Sequence, residues 1–289
     1  MATTAHSGYQ RAGTPDIPVR RMDFEFDDSI PKYWFGGDPL RTMILTGLSC
    51  SFPEGERMFM RAVRRYQDQI QDPELEKQVR AFIGQEAHHG KEHDTFNDMM
   101  ARKGLPVKKV EKFVEMGIAR EEEWFSPERM LAKTCALEHF TAMFAETLLE
   151  HPELIDEVDE RLKPLWLWHA VEESEHKSVA YDVYQQAVGS YWIRASEMAF
   201  TTVLFTLFSS LHARSLIKAD PDAKAAMPGF GQTMKGLWNH RRILGKLGKH
   251  YLAYYRPDFH PSQKDSDFLR RKGIKMLQKF VGDKALEAA

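Results

Sequence analysis

Gln85-Glu-Ala-His-His89-Gly-Lys-Glu-His93 and Trp168-His-Ala-Val-Glu-Glu-Ser-Glu-His176 decide how this chain reads. Each contains a Glu-x-x-His pair, Glu86 with His89 and Glu173 with His176. Both pairs lie on stripes that are otherwise mostly apolar. The first runs through Leu75, Val79, Phe82, Glu86, His89, His93 and Phe96. The second runs through Leu162, Trp166, His169, Glu173, His176, Ala180 and Val183. Such spacing puts each stripe on one face of a helix. A carboxylate and an imidazole facing a core are costly unless paired or metal-bound. Two such pairs predict a binuclear metal site inside a helical bundle.

A site of this kind needs one more Glu from each of two further helices. In the first helix, Glu56 shares its face with Phe59, Met60 and Val63, and it is the expected ligand. Glu54 is the alternative, but it lies with Met58, Arg61 and Arg65 and suits the first turn after Pro53 without any metal. In the third helix, Glu138 lies with Cys135, Ala142 and Ala145, a stripe of small residues that leaves room beside a metal. Glu138 is therefore preferred to Glu146. Glu172 is an alternative to Glu173, and Glu175 reads as a solvated or supporting acid. His169 and His93 extend the two stripes by one turn each. Either could be a further ligand, a hydrogen-bond partner of a ligand, or a buried His satisfied by a neighbouring helix, with His169 preferred as ligand. His88 and His139 point off the stripe and read as ordinary polar contacts.

Around these motifs the chain reads as all-α, a four-helix bundle with additional C-terminal helices. Pro53, Pro73 and Pro127 suit the first turns of three long helices. Pro152 and Pro164 mark a split approach to the fourth, which carries Glu173 and His176. A very apolar fifth helix spans about 191–217. Two more are expected over about 232–254 and 262–282. Strand-type alternation is scarce. Helices one and two, then three and four, form an internal repeat in which a Glu precedes a Glu-x-x-His. Residues 1–20 are polar and predict a disordered segment; residues 21–289 predict a single domain.

Composition narrows the function classes. Lys plus Arg total 40 and Asp plus Glu total 42, which gives no electrostatic case for nucleic acid. The only cysteines, Cys50 and Cys135, are far apart, and the N-terminus shows no apolar leader. Reduced thiols in a cytoplasmic protein are expected. The uncharged run 198–213 is 16 residues long, short of the about 20 that span a bilayer. It predicts a buried helix that could also line a pocket, and membrane contact is not expected. The stretch Lys249-His-Tyr-Leu-Ala-Tyr-Tyr-Arg256 reads as an aromatic, basic rim.

The order Glu56, Glu86-x-x-His89, Glu138, Glu173-x-x-His176 resembles the ferritin-like di-iron carboxylate superfamily, which includes bacterioferritin, acyl-carrier-protein desaturases and soluble methane monooxygenase. His169-x-x-x-Glu173-x-x-His176 is similar to the arylamine N-oxygenases, whose last site helix carries an extra His. Over about 20–270 the chain resembles a bacterial family labelled predicted metal-dependent hydrolase. Phe52-Pro-Glu-Gly-Glu56, Leu137-Glu-His-Phe-Thr141 and Phe259-His-Pro261 carry that likeness together with the two opening stretches. The resemblance implies a ferritin-like fold and two metal ions, iron foremost, with manganese or a mixed pair as alternatives. It favours an O2-activating oxidase or oxygenase acting on a small or hydrophobic substrate. An electron donor is an expected partner, and a homodimer is compatible. The first alternative is a hydrolase whose nucleophile is a hydroxide bridging the metals, since no Gly-x-Ser-x-Gly elbow occurs. The second is a non-catalytic iron-binding protein, against which the extra C-terminal helices speak.

Overall fold

The computed structural model describes residues 17–283. An irregular lead-in reaches α1 (Pro39–Ser49), followed by α2 (Phe52–Arg64) and α3 (Pro73–Arg102). Asp72 caps α3 by accepting from the N–H groups of Glu74 and Leu75. Beyond α3, Gly104 adopts a left-handed φ of 87° and Pro106 follows, which turns the chain into α4 (Val107–Trp124). Then come α5 (Pro127–Glu150), α6 (Lys163–His176), α7 (Val179–Ala187) and α8 (Tyr191–Ala219). The chain closes with α9 (Pro221–Ala225), α10 (Phe230–Asn239), α11 (Arg241–Ala253) and α12 (Asp267–Val281). Among the described residues there is no strand, only an isolated bridge between Phe35 and Val158. The fold is an all-α helical bundle.

Helix α2 packs on α3, and α5 packs on α6 and α7, so the two halves of the repeat each form a pair. One apolar cluster holds Trp34, Phe96, Leu149 and Trp168. A second holds Phe59, Phe82, Leu131 and Tyr184. Glu86 and His89 in mid-α3, and Glu138 in mid-α5, fall between these clusters. Here α2 and α3 approach so closely that a Cβ on Gly90 would lie 3.2 Å from Glu56 Oε2.

The structure corrects four expectations. Residues 1–16 lie outside the described residues, but 17–20 are packed: Ile17 and Arg20 are buried. The fourth helix does not run through Ala180 and Val183; it breaks after His176, at Lys177, whose ammonium is held by Glu146 and Ser266. The helix expected over 232–254 divides at His240, whose ring bonds the carbonyl of Gly236 and competes with the helical ladder. Helix α8 is not buried all round: Phe200, Val203, Leu207 and Leu211 are exposed. Its polar side supplies its anchorage instead, with Arg194, Glu197 and Thr201 buried in the bundle.

Candidate metal centre

Glu56 comes from α2, Glu86 and His89 from α3, Glu138 from α5, and His169, Glu173 and His176 from α6. All seven are buried. Their atoms form three groups that could hold a metal ion: Glu56 with His89 and His169, Glu86 with His89 and Glu173, and Glu86 with Glu138 and His176. Within each group the ligand atoms lie within 4.8 Å of one another. Glu173 is central, with carboxylate oxygens 2.9 Å from His169 Nε2, 3.4 Å from His176 Nε2 and 3.7 Å from His89 Nδ1.

The surrounding hydrogen bonds fix which nitrogen of each imidazole is bare. Gln85 Nε2 donates to the carbonyl of Pro18, so its Oε1 must be the acceptor for His176 Nδ1–H, 2.8 Å away. That leaves His176 Nε2 without a proton, facing Glu86, Glu138 and Glu173. His89 Nε2–H donates to Glu172 at 3.1 Å, leaving Nδ1 bare. Asn97 Nδ2 donates to the carbonyl of Ser49, and its Oδ1 accepts from Ser49 Oγ–H. Ser49 Oγ must then accept from His93 Nδ1–H, and His93 Nε2 from His169 Nδ1–H. His169 Nε2 is thereby turned toward Glu173, which it meets at 2.9 Å. Partners of this kind orient metal-binding histidines and set their tautomers.

Both oxygens of Glu56, Glu86 and Glu138, one of Glu173, and the bare nitrogens of His89 and His176 are buried with no hydrogen-bond partner. Unsatisfied buried acceptors at this density are costly. Burial and neighbouring carboxylates push the Glu56, Glu86 and Glu138 carboxyls well above their usual range. Burial opposes ionisation of Glu173 too, but His176 and His169 outweigh it and hold that carboxyl well below. Bare acceptors converging on a shared centre fit a pair of divalent cations, whose charge the carboxylates would balance.

The remaining residues sort by contact. Glu54 lies outside the cluster, 2.7 Å from Arg57 and 2.8 Å from Arg61. Glu146 is also apart, where Lys177 and Lys264 draw its carboxyl down to about 2 despite burial. His93 belongs to none of the three groups and supports His169. Glu172 supports His89 and is paired with Arg20 at 3.1 Å. Glu175, expected to be a solvated or supporting acid, is buried and takes two bonds of 2.8 Å from Arg20. His139 is buried between His250 and Tyr254, and burial lowers its pKa to about 3. The sequence reading assigned no role to Arg20, Gln85, Ser49 or Asn97.

A cavity of about 370 Å³ reaches the cluster. Glu56 and Glu173 are among its lining residues. Phe59, Ile118, Leu137, Phe140, Leu204 and Phe205 form much of its wall. Ser51 and His212, whose Oγ and Nδ1 are 3.1 Å apart, are a rare polar pair on that wall. Burial lowers the His212 pKa to about 4, so the ring is neutral near pH 7.

A helical bundle with a buried, metal-ready Glu/His cluster below an apolar cavity is the class that fold and site define. The chain belongs to the family described as predicted metal-dependent hydrolase, whose profile matches residues 18–265. No curated protein and no solved structure matches it.

Proposed function

We propose that the protein is a metal-dependent hydrolase of a largely apolar ester or amide. The observation that carries this reading is the placement of Glu56 and Glu173 in the lining of a largely apolar cavity. Family membership supports hydrolysis over the oxidation expected first. One ion would be held by Glu138 and His176, the other by Glu56, His89 and His169, with Glu86 and Glu173 shared. When bound, such a pair acidifies water and polarises a carbonyl oxygen. The apolar wall would hold the acyl or alkyl part and exclude bulk water. The neutral His212 and Ser51 would orient the substrate's polar group. Two Glu helices and two Glu-x-x-His helices support kinship with ferritin-like proteins, and iron or manganese as the ions.

A second reading, oxidation by O2, is favoured by the carboxylate-rich donor set, which suits hard, high-valent iron. A series of chromogenic esters of increasing acyl length separates the two. Hydrolysis that rises with chain length and stops with chelator supports the proposal. Rapid O2 uptake by the Fe(II)-loaded protein, with every ester untouched, selects oxidation.

A further inference from the structure

Helix α8 has two unlike sides. Arg194, Glu197, Thr201 and Leu216 are buried, and α1 sits so close that a Cβ on Gly47 would lie 3.0 Å from the backbone nitrogen of Ala213. The other side carries Phe200, Val203, Leu207 and Leu211, all at least 37% exposed. These follow at steps of three and four, so they form one continuous apolar stripe. By length and composition α8 could cross a bilayer. Its packed side holds it in the bundle, so the exposed stripe can only lie along a surface.

The elements beside α8 extend this face. Phe113 within α4 and Phe125 just after it meet Phe208 and Phe200 at 5.8 and 5.6 Å between ring centres. Phe113, Met116 and Trp124 are themselves exposed. On the other flank, Tyr251 of α11 is 3.0 Å from Thr202 and stacks on Phe140. Leu244 and Leu252 of α11, and Trp238 of α10, are exposed, and none of the residues described in α11 is buried. Monomeric proteins rarely expose apolar area on this scale without a partner.

Charge identifies the partner. Between Asp222 and Asp258 the sequence carries seven Lys and Arg residues and no Asp or Glu. On α11, Arg241 and Lys249 flank the exposed Leu244 and Leu252. Cations bordering an apolar helix face, with tryptophan nearby, are the pattern of helices that lie in the interface of an anionic membrane.

We propose that the face built by α4, α8, α10 and α11 docks on the surface of an anionic lipid bilayer. The cavity opens on this face, between α4 and α8, where Trp124, Phe113 and Phe200 are both lining and exposed. An apolar molecule dissolved in the bilayer could then reach the cavity without crossing water. The docking does not depend on the hydrolytic reading.

Flotation of the full chain with phosphatidylcholine vesicles, with and without phosphatidylglycerol, tests it. The protein should float with the anionic vesicles and dissociate as salt is raised. Arg241→Ala combined with Lys249→Ala should lower partitioning on the order of twentyfold, at about fivefold per cation. Val203→Ser combined with Leu207→Ser, at exposed positions that should not disturb folding, should abolish flotation. No flotation, equal flotation on neutral vesicles, or unchanged binding by both variants would overturn the proposal. It would also be overturned by a dimer in solution that the serine variant dissolves while vesicles stay unbound, which would assign the face to a second copy.

Discussion

His93 Nε2 lies 2.7 Å from Nδ1 of His169, and this contact makes His93 a support for the cluster rather than one of its ligands. The chain Asn97, Ser49, His93, His169 is directional, because the carbonyl of Ser49 fixes the Asn97 amide. It ends at His169 Nε2, which meets Glu173 at 2.9 Å.

Ser49→Ala should therefore weaken metal binding without removing any ligand. The expected loss is about 10–100-fold in affinity at the ion that His169 serves, as for other changes in the partners of metal-bound histidines. The ion held by Glu138 and His176 should keep its affinity. Calorimetric titration of the metal-free protein reads both steps, and equal weakening of the two ions would count against the relay.

Arg20 is expected to matter as much as any core residue. It is the buried cation that pairs with both Glu172 and Glu175. Arg20→Ala leaves Glu172 without a buried cation and Glu175 with only Arg270, 3.8 Å away, at a cost of about 3 kcal/mol. Urea unfolding of metal-free protein measures the loss. A change below about 1 kcal/mol would show that the exposed pairs of the surface are a better guide to this contact than burial is.

Metal-free protein should lose stability as pH rises above about 6.5. Burial and neighbouring carboxylates raise Glu56, Glu86 and Glu138, so their contribution is complete below the unfolded value and is lost as pH climbs toward the folded one. Glu173 is lowered, so its contribution is already constant in this window. Burial lowers His89 and His93, so they destabilise only as pH falls below about 6.5, where unfolded histidines gain protons. Metal should reverse the slope, since binding needs deprotonated ligands. Melting temperatures from pH 6.5 to 8.5, with and without metal, should thus diverge; parallel curves would argue that the cluster binds none.

Narrowing the cavity should separate substrate fit from metal binding. Leu204→Trp adds bulk to a wall residue that is none of the seven proposed ligands. Turnover of long-chain esters should drop at least about tenfold, with metal content unchanged and short esters less affected. Equal losses for all chain lengths would place the substrate elsewhere.

Much of the helical frame is legible in the sequence because prolines mark helix starts and the stripes repeat at steps of three and four. Pro127–Glu150 follows from such signals alone. The break after His176 does not, because it depends on where Glu146 and Ser266 hold Lys177 in the folded chain. The exposure of α8 was illegible for a related reason: an apolar run shows what a helix can bury, not what the rest of the fold covers. Arg20 and Ser49 reach the site from outside the periodic stripes, so no spacing rule marks them. Gln85 and Asn97 sit beside stripe residues, but only the folded partners give them a role.

Metal analysis of the purified protein beside Glu86→Ala and Glu173→Ala tests the central claim most directly. Glu86 and Glu173 each belong to a group containing His89, and each lies within 3.4 Å of His176 Nε2. Loss of either should therefore strip both ions. Native protein should hold about two ions per chain, as carboxylate-bridged helical bundles do, and either variant nearly none. A native protein that binds no metal, or full metal retention in both variants, would contradict it.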